Sequence, residues 1–125
     1  MMKKFILDYS IWRFGGMPNQ FEKGATKLLN KQGYMCCLGQ WCEQSGVPKD
    51  ELLGHKDPST LRRNIEPFNQ GVCGLYLSDF SNRAMRINDN QFTTAEEKIY
   101  HLKNLCRTHD IELQVINKPE INLQD

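Results

Sequence analysis

Three observations on the 125-residue sequence predict an α+β fold. In the stretch 5–12, Phe5, Leu7, Tyr9 and Ile11 alternate with Ile6, Asp8, Ser10 and Trp12, the two-residue period of a half-buried strand. Near the other end, Ile111, Leu113 and Val115 alternate with Glu112 and Gln114, and Pro119 stops the run. Between them, apolar residues recur at helical spacing. The expected architecture is a small sheet pairing the N- and C-terminal strands, on which a central helical hairpin and a C-terminal helix pack. No repeat, low-complexity tract or long linker divides the chain, so 1–125 reads as a single globular domain.

After the first strand, Gly15-Gly16 and Pro18-Asn19 mark a loop. Residues 21–30 form the first helix candidate, with Ala25, Leu28 and Leu29 inward, and Asn30 to Gly33 make a turn. The stretch 34–46 then reads as a buried helix. Cys37, Leu38, Trp41, Cys42 and Ser45 share one face, and Gly39 beside it leaves room for a neighbouring backbone. Gly46 suits a left-handed cap, and Pro48 both stops that helix and starts a short one over 47–54. So short a connection predicts that 21–30 and 34–46 pack as the hairpin.

Asp57-Pro58 repeats the grammar of a helix start, Pro67 closes that segment, and 70–74 is a loop. Residues 75–85 are ambiguous between helix and irregular structure, and 85–88 suggest a brief extended piece. Thr94 with Glu97 three positions later is a capping box, opening a helix to about His109. Asp110 then stands where glycine usually caps.

Composition excludes several function classes. The net charge of +1 removes the simplest electrostatic argument for nucleic-acid or membrane-surface binding. No apolar run approaches membrane-spanning length. The start resembles a secretory leader, but Asp8 and Ser10 interrupt it early. Five cysteines are an odd number, and two are adjacent, which argues against a disulfide framework and for reduced thiols in a cytoplasm. No cofactor motif is present.

The residues that carry chemistry allow competing readings. Cys36, Cys37 and Cys42 suit small core hydrophobes; Cys36 points away from the main apolar face and is the thiol to watch. A cysteine-dependent enzyme would use Cys36 or Cys37 as nucleophile with His101 or His109 as base. Zinc would need Cys37, Cys42, Cys106 and His109, but the five-residue spacing on a helix turns the first two apart, so no metal is expected. Asn88-Asp89-Asn90, with Arg83 and Arg86 just upstream, reads as a polar turn or as a site for a phosphate-bearing ligand. Trp12-Arg13 suits stacking on a planar ligand or the rim of the core equally. The tentative ligand-binding set is Trp12, Arg13, Arg83, Arg86, Asn88 and Asp89.

Three blocks occur in order: Trp12-Arg13-x-Gly15; Leu28-Leu29-Asn30-x-x-Gly33-x-x-Cys36-Cys37-Leu38-Gly39; and Ile87-Asn88-Asp89 followed by Thr94-x-x-Glu97-Lys98-Ile99. The pattern resembles a loose group of small bacteriophage and prophage proteins marked by a Cys-Cys-Leu-Gly block and a downstream Asn-Asp block. That resemblance implies a host-cell cytoplasmic setting and action by binding, either blocking a host protein or sequestering a nucleotide-like signalling ligand in counter-defence. It supplies no activity. A homo-oligomer is compatible with it.

Overall fold

The computed structural model describes residues 3–15, 23–56 and 79–119. Strands β1 (Lys3–Asp8) and β2 (Ile111–Ile116) form a two-stranded parallel sheet, with Lys3 opposite Ile111 and Asp8 opposite Ile116. Among the described residues, four helices lie between them: α1 (Cys37–Gln44), α2 (Lys49–Leu52), α3 (Asp79–Asp89) and α4 (Ala95–Arg107). The predicted α+β architecture and the pairing of the terminal strands are therefore present. Phe5, Leu7, Ile111 and Leu113 bury one face of the sheet, as strand alternation requires. Helix α1 packs on β1 and on α3, α3 on α4, and α4 on β2.

The outer edge of β1 is closed by side chains instead of by a third strand. Ile6 N–H donates to Gln44 Oε1 (2.9 Å) and Gln44 Nε2 returns a bond to the Ile6 carbonyl (2.5 Å). Asp8 N–H donates to Gln40 Oε1 (2.7 Å), and Gln40 Nε2 donates to the Asp8 carbonyl (3.1 Å). The periods match. Four residues of helix rise about 6 Å and two residues of strand about 6.6 Å, so amides at i and i+4 meet alternate residues of one strand edge. Each glutamine satisfies one donor and one acceptor of the strand edge, and at the partly buried Gln40 pair leaving them unmade would be costly.

The expected strand 5–12 stops at Asp8. Its carboxylate accepts from the Ser10 amide (3.0 Å) and hydroxyl (2.7 Å), winding residues Tyr9–Ile11 into a 3₁₀ turn. The chain then bridges Trp12 to Met35. Asn117 Nδ2 also reaches Asp8 Oδ1 (3.0 Å), tying the ends of the two strands together.

The first arm of the expected helical hairpin is a correction: residues 24–30 are irregular. Their backbone groups bond to distant segments. Cys36 N–H donates to the Lys27 carbonyl (3.0 Å), Leu28 N–H to that of His55 (2.8 Å), and Gly54 N–H to that of Leu29 (2.9 Å). Asn30 holds the loop with four side-chain bonds. Its Nδ2 donates to the Lys23 and Ala25 carbonyls (2.6 and 2.8 Å), while Oδ1 accepts from the Gln32 and Tyr34 amides (both 3.0 Å). Local asparagine bonding outcompetes helix here.

A second correction concerns 85–88, which is helical within α3. Phe80, Ser81, Ala84 and Asn88 are its buried residues, at i, i+1, i+4 and i+8. Helix α4 opens with the predicted capping box: Glu97 N–H donates to Thr94 Oγ1 (3.1 Å) and Thr94 N–H to Glu97 Oε1 (2.8 Å). It ends at Arg107, slightly before the expected His109, and Asp110 adopts φ 58° in the glycine role. The expected segment at Asp57-Pro58, the 70–74 loop and Cys73 lie outside the described residues.

Gly39 fulfils the expectation of a close approach. A Cβ there would lie 1.9 Å from the Leu28 carbonyl oxygen. Gly39→Ala should therefore cost about 3 kcal/mol or more, because two backbones must separate. Gly33 has φ 92° with open space around it, so Gly33→Ala should cost only about 1 kcal/mol of backbone strain. Urea denaturation of both variants measures the contrast.

Candidate functional site

Four of the six residues singled out in the sequence come together at one buried junction, and Asn88 is its centre. Its Oδ1 accepts from Trp12 Nε1 (2.7 Å) and from the Cys37 backbone amide (3.2 Å). Its Nδ2 donates to the Arg13 carbonyl (3.1 Å) and to Asp89 Oδ1 (2.8 Å). Its own carbonyl accepts from Gly15 N–H (2.9 Å). Cys36, at the N-cap of α1, supplies no capping side chain, so Asn88 caps that helix from α3. Gly15 is required beside it, since a Cβ would lie 2.4 Å from the Asp89 carbonyl oxygen.

Trp12 and Arg13 belong to this junction's interior. Trp12 is fully buried, stacked obliquely on Phe14 with ring centres 4.4 Å apart, and Tyr9 packs edge-on to both. Arg13 is 7% exposed, and its guanidinium donates to the Gly24 carbonyl (2.6 Å) and to that of Phe14. Burial lowers its pKa, against the opposing pull of Asp89. Asp89 itself stands at the exposed rim. Desolvation by the protein crowded around it raises its pKa, although Asn88, Arg13 and Lys98 all favour the carboxylate.

Lys98 is the least expected buried group. Fully buried on α4, it donates to the Asn90 carbonyl (2.6 Å), the Thr93 carbonyl (2.9 Å) and Thr93 Oγ1 (2.6 Å). The ammonium lies 5.7 Å from the Phe14 ring centre. It pins the 90–93 turn, and no polar pattern in the sequence announces it. Among the described residues every buried side-chain nitrogen and oxygen has a partner.

The described thiols sit in buried surroundings. Cys36, Cys37, Cys42 and Cys106 are all buried, and none of them is in a disulfide. Cys36, expected to point away from the main apolar face, is likewise buried, at the N-cap of α1. Burial pushes the Cys36 and Cys106 thiols up to about 12. Burial, followed by the neighbouring Cys36, Asp89 and Cys106, raises Cys37 well above its ordinary value. Among the described residues no group of three or more His, Cys, Asp or Glu side chains could hold a metal ion.

Arg83 and Arg86 lie apart from the junction, exposed along α3. Arg83 lines an open groove of about 270 Å³ between α3 and α4, together with Ile87, His101, Asn104, Leu105 and Thr108. Arg107 Nη1 donates to Asn104 Oδ1 (3.2 Å), bringing a second guanidinium to the rim. Leu105 and Ile87 give the groove an apolar floor, and among the described residues no carboxylate lines it. Sequence reading named Arg83 but missed His101, Asn104 and Thr108 as its companions. Their spacing at i, i+3 and i+7 on α4 is the signal that they share a face.

Among the described residues no helix is long and apolar enough to cross a membrane. Comparison with family models, curated proteins and solved structures found no match.

Two outcomes are expected. Asn88→Ala should cost about 3 kcal/mol in urea denaturation, because it strands the Trp12 indole N–H, the Cys37 amide and the Arg13 carbonyl in the interior. Stability should also fall as pH rises from 9, where unfolded thiols ionise, towards about 12, where Cys36 and Cys106 ionise in the folded chain. Over that window the unfolded chain binds fewer protons, so each such thiol removes up to about 1.4 kcal/mol per pH unit. Lys98, Lys23 and Arg13, their pKa values lowered by burial, act with the opposite sign, while Tyr9, raised by burial, acts with the thiols. Denaturation across this pH range checks the slope, and Cys36→Ala should flatten it.

Proposed function

We propose that this is a phage-encoded, non-enzymatic binding protein that acts in the host cytoplasm against a defence system by sequestering a small phosphate-bearing, nucleotide-like ligand. The observation that carries the reading is the groove between α3 and α4. It sets Arg83, His101, Asn104 and Thr108 around an apolar floor, a donor-rich rim over a surface suited to a planar or apolar body. The resemblance to small phage proteins supports the setting. The buried thiols support binding over cysteine catalysis, since a thiol held at about 12 supplies almost no thiolate at neutral pH.

Native mass spectrometry of the protein isolated from infected, defence-bearing cells tests the proposal. A bound small phosphate ester is expected, with occupancy reduced about tenfold or more by Arg83→Ala, on the scale of one charge-assisted hydrogen bond. Recovery of a host protein in place of a small ligand, or of the chain alone, would overturn the sequestration reading.

A further inference from the structure

A second concave surface lies on another part of the molecule, between the irregular loop 23–34 and the turn that follows α2. It is a cleft of about 400 Å³ whose lining includes Lys27, Asn30, Lys31, Gln32, Leu53 and Gly54. That volume falls within the range of ordinary small-molecule sites.

Its walls are fixed. Asn30 is 3% exposed, and its four side-chain bonds hold the loop. The opposite wall is tied across the base by the Leu28 amide to the His55 carbonyl (2.8 Å), the Gly54 amide to the Leu29 carbonyl (2.9 Å) and the Leu29–Leu53 bridge. A ligand entering the cleft therefore meets an organised surface, and little ordering entropy is lost on binding.

The lining has one sign of charge. Lys27 and Lys31 flank the cleft, and among the described residues no carboxylate lines it. Neither ammonium has an ion pair among the described residues. The whole chain carries only +1, so two unopposed cations in one concavity are a local concentration and not a share of a general excess. Leu53 lines the same cleft at 51% exposure, one of the few large apolar side chains left open to water among the described residues. Asn30 is saturated by the loop itself, so recognition falls to the lysines, the Gln32 amide and the Leu53 surface.

We propose that this cleft is a binding site for a phosphate monoester that carries an apolar body. Two compact ammonium charges suit a phosphate dianion, while Leu53 covers the ester's carbon portion. The site is independent of the α3–α4 groove, and either can fail without the other.

Backbone-amide NMR titration of the intact chain tests this with three probes: phenyl phosphate, inorganic phosphate and phenol. Phenyl phosphate should bind saturably and shift the amides of Lys27, Lys31, Gln32, Leu53 and Gly54, with inorganic phosphate weaker and phenol weaker still. The surface variant Lys27→Ala/Lys31→Ala should weaken phenyl phosphate about tenfold or more while leaving the remaining spectrum unchanged. Leu53→Ser should weaken phenyl phosphate but not inorganic phosphate. Absence of saturable shifts at millimolar phenyl phosphate would overturn the proposal, as would shifts confined to Arg83, His101 and Asn104, or binding indifferent to loss of both lysines.

Discussion

One asparagine side chain holds the architecture together. Asn88 makes four hydrogen bonds from a site that is 1% exposed, and they reach three separate segments: the chain after β1, the start of α1 and the end of α3. A buried amide has two donors and two acceptor positions, and here all are used. The arrangement is strict because the alternative to each bond is a stranded polar group in a low-dielectric interior. That is why Trp12 turns its indole nitrogen inward and why α1 starts where it does without a capping side chain of its own.

The same logic recurs at three other places. Gln40 and Gln44 stand in for a missing strand along β1, Asn30 replaces helix with a bonded loop, and Lys98 gathers three oxygens of the 90–93 turn. A sheet of only two strands offers few ladder bonds, so side-chain amides take over the backbone pairing that a larger sheet would provide. The apolar core fills the space between these anchors, from Phe5 edge-on to Trp41 (5.1 Å) to Phe80 edge-on to His109 (5.0 Å).

Period and capping made much of this legible. Alternation in 5–11 and 111–115 marked both strands, Thr94 with Glu97 marked the start of α4, and Gly39 marked a close approach that proved to involve Leu28. What sequence reading missed was polar and long-range. The stretch 21–30 has helical spacing in Ala25, Leu28 and Leu29, yet Asn30 and the partners of Lys27, Leu28 and Leu29 decide its conformation from up to 27 residues away. Trp12, Arg13, Asn88 and Asp89 were noticed as unusual, and they do meet. Their bonds are to one another and to the backbone, so the grouping was legible while its structural use was not. Lys98 carries no local mark, and the spacing of His101, Asn104 and Thr108 marks a shared face but not a groove, because burial and groove formation depend on which helix lies opposite.

The Asn88 junction should open only when the whole molecule does. Native-state hydrogen exchange of the Trp12 indole N–H and the Cys37 amide tests it most directly. Both should exchange with an opening free energy equal to that of the best-protected core amides of β1 and α4, and both should weaken in step with global stability as urea is added. Exchange of either proton through a low-energy, urea-independent local opening, while the core amides stay protected, would contradict it.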